Sequence, residues 1–217
     1  MGGKHVSSVG LVALCGPTCG GKTSLARMLI ERWGSVFAPL VTTTTRAPRA
    51  GERRDVDYHF MSRFEFEEIR ARGWLIEADE IAGQAYGLQH ADLKRLQESG
   101  RIGVVVLTPK GIAPIREACE RLGKRLVSVY LGATREDLMV RFLQRYRADS
   151  EDSVRLYANR LIHMLDEQPA WERAAQYDIV EKAYGDETVA SVLERIQAEI
   201  VEDAVWVADE TAMRVRH

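Results

Sequence analysis

The chain has 217 residues, of which 46% are hydrophobic and 29% are charged, and its formal net charge is -2. This length suits one domain with a sizeable core, and the near balance of charge excludes a general attraction to nucleic acid or acidic membranes, so a basic site must be local. The three cysteines, Cys15, Cys19 and Cys119, have the spacing of neither a disulfide framework nor a zinc site, which favours a reducing, cytoplasmic compartment.

The first elements of the chain are predicted to be a strand, a glycine-rich loop and a helix. Val9 to Cys15 is a short apolar run that ends at a glycine, and apolar residues recur at helical spacing from Lys22 to Trp33. The uncharged run from Val6 to Gly21 contains five glycine and proline residues and is too short to span a bilayer. We therefore expect no membrane segment.

The pattern changes after the first helix. Between residues 36 and 90, the strand-like pieces APLVTT, VDYHF and WLIEA surround one helical stretch from Arg63 to Arg72, which predicts a small inserted lobe. Strands and helices then alternate, with a helix ending near Gly100, a strand at 102–107, a helix at 112–122 and a strand at 126–131. Such alternation predicts a parallel sheet covered by helices on both faces.

The last third of the chain is predicted to be mainly helical. Helices are expected at 134–147 and 154–175, joined by an exposed acidic connection at 149–153, and are followed by a strand at 177–180 and a helix at 188–200. The segments 8–35, 91–132 and 176–200 would together form the core of a single domain. Residues 201–217 have no clear assignment, although AVWV within them could form one more short strand.

The loop between the first strand and helix, GPTCGGKT, matches the pattern GxxxxGK[ST]. In such a loop backbone N–H groups turn towards phosphates, the lysine reaches the β and γ oxygens, and the Thr23 hydroxyl is a ligand of Mg²⁺. A chance glycine turn is the alternative, but the flanking strand and helix favour ATP or GTP. The residues expected to hold the nucleotide are Gly16, Pro17, Thr18, Cys19, Gly20, Gly21, Lys22, Thr23 and Ser24.

A second basic segment, residues 42–58, has the sequence TTTTRAPRAGERRDVDY. The segment contains four arginines within a stretch of nine residues, and a tyrosine follows them. Arginine donates two parallel hydrogen bonds to a phosphate, and a tyrosine hydroxyl can add a third. A solvated basic turn explains such a cluster when it stands alone. Next to a phosphate loop, it indicates a cradle for a second phosphorylated molecule.

These motifs, in this order, resemble the guanylate kinase family. GPTCGGKT, TTRAPRAGERRDVDYHF and the element from Glu77 to Gly87 correspond to the family's phosphate loop, its TTR.PR.GE..G.DY.F signature and its E....G..YG element. The resemblance extends roughly from Leu11 to Ile200 and is densest up to Gly87. It implies a single α/β kinase domain with the P-loop NTPase fold, an acceptor-binding lobe at 36–90 and a helical lid at 133–160.

The resemblance also implies an activity and its residues. The activity is ATP-dependent phosphoryl transfer to a nucleoside monophosphate, with GMP or dGMP as the leading acceptor and ATP and Mg²⁺ bound at the loop. Glu77 would accept hydrogen bonds from the guanine N1 and 2-amino groups, while the remaining acceptor residues would be Thr42, Arg46, Arg49, Tyr58 and Tyr86. The catalytic residues would be Lys22, Arg46, Arg141, Arg145 and Arg160. The partners would be nucleotides alone, and a monomer and a homodimer are both compatible.

Three positions depart from the family pattern. Leu88 stands where the family has a small hydroxyl residue that contacts the guanine carbonyl, and Val106 and Thr108 stand where it has two aspartates. These departures leave open a different acceptor, such as another or modified nucleotide or ribose 1,5-bisphosphate, and also a catalytically weak binding module. The complete loop argues against the module, and Glu77, which a base-free acceptor would not need, argues against the sugar phosphate.

Overall fold

The computed structural model describes residues 9–49, 51–146, 151–166, 168–181 and 186–201. These residues form an α/β fold with two sheets, one of five strands and one of four. In chain order the elements are β1 (Val9–Cys15), α1 (Lys22–Arg32), β2 (Phe37–Pro39), β3 (Thr42–Thr44), β4 (Tyr58–Phe60), α2 (Arg63–Ala71), β5 (Leu75–Ile81), β6 (Gln84–Gln89), α3 (His90–Ser99), β7 (Ile102–Val106), α4 (Pro109–Arg121), β8 (Arg125–Leu131), α5 (Arg135–Arg145), α6 (Glu151–Asp166), a 3₁₀ helix (Gln168–Arg173), β9 (Ile179–Glu181) and α7 (Asp186–Val201).

The five-stranded central sheet has the order β2-β7-β1-β8-β9, and all of its neighbouring strands are parallel. β1 lies in the middle and is buried along nearly its whole length, as its continuous apolar run requires. Leu29 of α1 and Ile196 of α7 pack in one core cluster, while Leu93 of α3 and Ile115 of α4 pack in another. The predicted parallel sheet with helices on both faces is therefore confirmed.

The four-stranded sheet has the order β4-β3-β6-β5 and carries the inserted lobe. The strand β6 has no counterpart among the sequence predictions, because its sequence QAYGLQ contains a glycine and lacks regular alternation. The predicted lobe, 36–90, includes the strand β2. β2 pairs with β7 in the central sheet, where Phe37 and Ala38 are buried, so the lobe's own sheet begins at Thr42.

Two helices follow β8 and pack against each other. Leu138 and Phe142 of α5 and Met164 of α6 form a small separate core. The helix predicted at 154–175 ends earlier, at Asp166, and continues as the 3₁₀ helix. Pro169 lies at this break, and a proline disfavours an α-helical conformation of the residue before it.

Two sequence expectations fall partly or wholly beyond the described residues. Most of the acidic connection at 149–153 belongs to α6, which begins at Glu151, while 147–150 are not described. The AVWV strand expected in the tail lies outside the described residues. Within the described ranges, no helix combines the length and the apolarity needed to cross a membrane.

Candidate active site

The phosphate loop joins β1 to α1 at the carboxyl edge of the central sheet. Gly16 has a φ of 141°, and a Cβ there would lie 2.2 Å from the Leu131 carbonyl oxygen, so only glycine fits. Gly21 adopts a left-handed conformation at the N-cap of α1. The Lys22 ammonium donates to the carbonyls of Gly16 and Pro17, at 2.8 and 2.7 Å. The loop thus forms a tight cradle at a helix N-terminus, where anions are stabilised.

The groups of this loop fit a nucleotide that binds as its Mg²⁺ complex. Thr23 is exposed and its side chain lies in the same cleft as Lys22. Among the described residues, no group of three or more histidine, cysteine, aspartate or glutamate side chains could hold a metal ion. Because Mg²⁺ keeps several waters and binds through few protein ligands plus substrate phosphates, Thr23 with phosphate oxygens is a suitable ligand set.

A cleft of about 150 Å³ joins the loop, the lobe and the lid helices. The residues lining it include most of those expected from the sequence. They are Gly16, Thr18, Cys19, Lys22 and Thr23 from the loop, Thr42, Arg49, Tyr58, Glu77 and Tyr86 from the lobe, and Arg145 and Arg160 from α5 and α6. Residues that are up to 144 positions apart in sequence therefore face one space, as Gly16 and Arg160 illustrate.

The strand register of the lobe positions its cleft residues. β3 pairs in parallel with β4, which sets Thr42 opposite Tyr58, and it pairs antiparallel with β6, which sets Thr44 opposite Tyr86. The two tyrosine rings meet edge to face with centroids 6.3 Å apart. Both tyrosines line the cleft, as does Arg49.

Arg46 lies behind the cleft and is bonded to Glu52. Its guanidinium is only 7% exposed and donates to both carboxylate oxygens of Glu52, at 2.9 and 3.0 Å. The rings of Tyr58 and Phe60 lie 5.2 and 5.7 Å from the Arg46 Cζ. Nη1 also donates to the Ala47 carbonyl at 2.7 Å, whereas Nε is buried without a hydrogen-bond partner among the described residues. Three of the five guanidinium N–H groups are therefore engaged, and the direct contact of Arg46 with the acceptor phosphate stays a prediction.

Glu52 was not singled out from the sequence, although it lies within the TTRAPRAGE segment. Besides Arg46, it accepts a hydrogen bond from the Arg49 backbone N–H at 2.8 Å. One carboxylate thus ties both arginines of the cradle to a single turn. The signal that could have found it is the glutamate of the TTR.PR.GE signature, to which Glu52 corresponds.

Glu77 projects from β5 into the cleft. Burial, reinforced by the nearby Asp79 carboxylate, raises the pKa of Glu77 to about 7, while a hydrogen bond from the Leu88 backbone N–H acts in the opposite direction. The carboxylate packs on the first turn of α4, where a Cβ at Gly111 would lie 3.4 Å from it. Asp79 instead pairs with Lys110 at 2.9 Å. Both carboxyl groups line the cleft, but Asp79 is engaged by a lysine while Glu77, among the described residues, accepts only from a backbone N–H.

The three residues that depart from the family pattern have different surroundings. Leu88 is fully buried in the core cluster that contains Leu93. Its side chain packs into the core, and its backbone N–H donates to the Glu77 carboxylate. Val106 and Thr108 line the cleft. The Thr108 hydroxyl does not cap α4, and it is buried without a hydrogen-bond partner among the described residues. On this side of the cleft, Val106 therefore presents methyl groups and Thr108 presents one hydroxyl group.

The lid arginines occupy two places. Arg145 and Arg160 line the cleft itself. Arg141 lies over the outer side of the phosphate loop, where it donates to the Cys19 carbonyl at 3.4 Å. Arg145 also borders this outer depression, so α5 covers the loop with two basic side chains.

The cleft also contains residues that had no signal in the sequence, among them Tyr146, His163, Gln168 and Trp171. Gln168 is 2% exposed and forms a two-point contact with the phosphate loop. It accepts a hydrogen bond from the Thr18 N–H at 2.6 Å and donates to the Thr18 hydroxyl at 3.2 Å. A contact between residues 150 positions apart leaves no pattern in the sequence.

Comparison with known proteins gives a consistent result. The family model described as guanylate kinase matches residues 9–199. The guanylate kinase of Chlamydia pneumoniae is 34% identical over 170 residues, which is 78% of each chain. That of Trichormus variabilis is 34% identical over 176 residues, which is 81% of this chain and 83% of the relative. A crystal structure of guanylate kinase from Anaplasma phagocytophilum has the same fold, with a TM-score of 0.61 at 23% identity over 97% of this chain and 96% of that one.

Proposed function

The chain belongs to the guanylate kinase family and is a nucleoside monophosphate kinase, and we propose that it transfers the γ-phosphoryl group of ATP to GMP or dGMP. The observation that carries this proposal is the cleft that holds the phosphate loop, the lobe residues and the lid arginines together. Phosphoryl transfer depends mainly on positioning and on neutralising charge, and this cleft provides for both.

The donor phosphates are assigned to the loop side of the cleft. The N-terminus of α1 presents backbone N–H groups there, and the Lys22 ammonium can exchange its two carbonyl partners for phosphate oxygens. Thr23 would hold Mg²⁺, whose charge neutralises the phosphate oxygens. Burial lowers the pKa of Lys22 to about 8, and a bound anionic phosphate would raise this pKa by stabilising the ammonium form.

The acceptor phosphate is assigned to Arg49, Tyr58 and Tyr86. These side chains lie on the lobe side of the cleft, and the Arg46–Glu52 pair supports them from behind. The acceptor oxygen is already anionic at neutral pH, so the chain needs no general base. The role of the lobe is to orient that oxygen towards the γ-phosphorus.

The acceptor base is assigned to Glu77. A carboxylate accepts hydrogen bonds from two adjacent donors, which guanine presents at N1 and its 2-amino group and adenine does not. Rejection of the wrong base arises because a buried polar group would be left unpaired. Since Leu88 and Val106 offer the base no side-chain hydrogen bond, discrimination rests mainly on Glu77, with Thr42 and Thr108 nearby.

The lid arginines are assigned to the transferring group. Arg145 and Arg160 line the cleft from α5 and α6, and Arg141 covers the loop from outside. Closure of such a lid excludes water and brings positive charge to the phosphoryl oxygens, where negative charge is spread in the transition state.

One experiment tests the proposal. Purified protein with Mg-ATP is offered GMP, dGMP, AMP, CMP, UMP and ribose 1,5-bisphosphate, and ADP release is followed. We expect turnover with GMP or dGMP and none with AMP, and loss of turnover in Lys22→Ala. Turnover of the sugar phosphate alone would replace the proposed acceptor. Absence of turnover with every compound would support a binding module.

A further inference from the structure

Tyr146 contacts three arginines that come from three parts of the chain. Its hydroxyl accepts hydrogen bonds from Arg49 of the lobe at 3.2 Å and from Arg160 of α6 at 3.4 Å. The guanidinium carbons of Arg49, Arg145 and Arg160 lie 5.8, 5.6 and 5.9 Å from the centroid of its ring. All three distances fall within the range of cation–π attraction.

The ring of Tyr146 is itself held by the lid helices. It follows directly after α5, and its ring centroid lies 4.5 Å from that of the buried Phe142 and 5.0 Å from that of Tyr157. Tyr146 and Tyr157 both pack on the small core formed by α5 and α6. Arg49, by contrast, belongs to the lobe and lies 97 positions earlier in the chain. The contact therefore joins the lobe to the lid.

Three guanidinium groups around one ring repel one another. Burial and the charges of Arg46, Arg145 and Arg160 lower the pKa of Arg49, whereas Tyr146 acts in the opposite direction. An arginine does not lose its proton in a protein, so the repulsion instead pushes the side chains apart. The negative face of the ring and the accepting hydroxyl offset this repulsion.

We propose that Tyr146 is a positioning residue that gathers Arg49, Arg145 and Arg160 into one phosphate-binding cluster and couples the acceptor lobe to the lid. The proposal deepens the proposed function, on which it rests for the identity of the anion as the phosphate chain of the substrates. Tyr146 acts through the arginines and does not itself have to contact a reacting atom. Its hydroxyl accepts hydrogen bonds from Arg49 and Arg160, and its ring makes cation–π contacts with all three arginines.

Two substitutions separate the hydroxyl from the ring. Tyr146→Phe removes the acceptor oxygen and keeps the ring, so we expect the KM for GMP to rise about tenfold, as for the loss of one hydrogen bond to a charged group, with a smaller change in kcat. Tyr146→Leu also removes the ring that gathers Arg145 and Arg160, so kcat should fall as well. A higher kcat in Tyr146→Phe than in Tyr146→Leu would show that the aromatic ring contributes to kcat.

Tyr157→Phe is the matched control. It removes the same atom from a tyrosine whose ring touches Tyr146 in the same small core, and the described structure assigns its hydroxyl no contact with the three arginines. We expect wild-type kinetic constants for it. If Tyr146→Phe and Tyr157→Phe have equal kinetics, or if Tyr146→Leu changes only the melting temperature, the positioning role is wrong.

A double substitution tests the route through Arg49. If the hydroxyl acts by holding Arg49, Tyr146→Phe should add little to the KM defect of Arg49→Lys. Full additivity of the two effects on KM would contradict the coupling of lobe and lid.

A binding measurement separates this inference from the proposed function. Inorganic tripolyphosphate is titrated into the wild-type protein and Tyr146→Leu by calorimetry, and we expect weaker binding to the variant. If the wild-type protein transfers no phosphoryl group to GMP, the proposed function fails, but the tripolyphosphate affinities still decide the role of Tyr146. Equal affinities would overturn that role.

Discussion

At the scale of single residues, the proposed role of Glu77 makes recognition of the acceptor depend on the ionisation of its carboxyl group. Burial and Asp79 raise its pKa to about 7, so the carboxyl group exchanges its proton near neutral pH. Only the carboxylate form can accept hydrogen bonds from two base donors at once. The burial that raises this pKa should therefore make the proposed recognition by Glu77 sensitive to pH.

The activity with GMP should fall as the pH drops through about 7, the pKa of Glu77. Protonation of the carboxyl group replaces one acceptor by a donor, so kcat/KM for GMP should decrease about tenfold for each pH unit below that value. Initial rates at subsaturating GMP between pH 5.5 and 8.5 measure this profile. In Glu77→Gln the rate should be low, and kcat/KM should no longer fall as the pH drops below about 7. If the same fall persists in this variant, the titrating group is not Glu77.

Stability should have the opposite dependence on pH. Because the folded-state pKa of Glu77 is raised, the folded chain binds more protons than the unfolded chain between the two pKa values. The contribution of this group to the free energy of unfolding is therefore highest below its unfolded pKa and is lost as the pH rises through about 7. Urea denaturation of Glu77→Gln should show a gain in stability at pH 8 that is smaller at pH 5. An equal gain at both values would contradict the shift.

Arg49 and Arg53 differ in environment although they belong to one basic segment. Arg49 lines the cleft beside Tyr58, whereas Arg53 is exposed. Arg49→Ala should raise the KM for GMP about 10- to 100-fold, the effect of losing one or two hydrogen bonds to a charged group. Arg53→Ala should leave it close to wild type. Steady-state kinetics compares the two, and equal effects would mean that the segment acts only through its total charge.

At the scale of elements, the 3₁₀ helix after α6 holds the phosphate loop in shape. Gln168→Ala removes both of its contacts with Thr18 and leaves a partly buried backbone N–H without its present partner. We expect a loss of about 1–3 kcal/mol in the free energy of unfolding and weaker ATP binding by calorimetry. GMP affinity should change less, because both hydrogen bonds of the Gln168 side chain go to Thr18 of the phosphate loop. A weakened GMP affinity with unaltered ATP affinity would contradict this assignment.

At the scale of the whole molecule, the lobe and the core are joined by contacts that substrates should reinforce. Lys110 of α4 pairs with Asp79 of β5, and Arg49 of the lobe contacts Tyr146 beside α5. Ligands that bridge the same elements bind the folded chain and not the unfolded one, so each should raise the melting temperature.

The two substrates should stabilise the protein through separate residues. A ligand at 100 times its Kd adds about 2.7 kcal/mol to the free energy of unfolding. Lys22→Ala should lose the thermal shift produced by Mg-ATP and keep that produced by GMP, and Glu77→Gln should show the reverse. Thermal denaturation with each ligand measures both shifts. Loss of both shifts in either variant would indicate a general folding defect.

Much of this architecture could be predicted because its signals are local. The loop, α1 and the buried run of β1 are neighbours in sequence, and a buried parallel strand must be continuously apolar. β6 was not predicted because its glycine is required by packing, since a Cβ at Gly87 would lie 2.9 Å from the Glu77 carbonyl oxygen. β2 was assigned to the lobe because its pairing with β7 joins residues far apart in the chain.

The sequence by itself determined the phosphate loop, the alternation of strands and helices and the basic segment, because each depends on residues close together in the chain; Glu77 was singled out only by the family resemblance. Only the tertiary structure decided which of these groups face one another. It engaged Arg46 with Glu52, buried Leu88 in the core, set Gln168 on the loop and placed Tyr146 among three arginines. Such contacts depend on how sheets and helices pack, and side chains that meet only through packing leave no spacing for a sequence pattern to reveal.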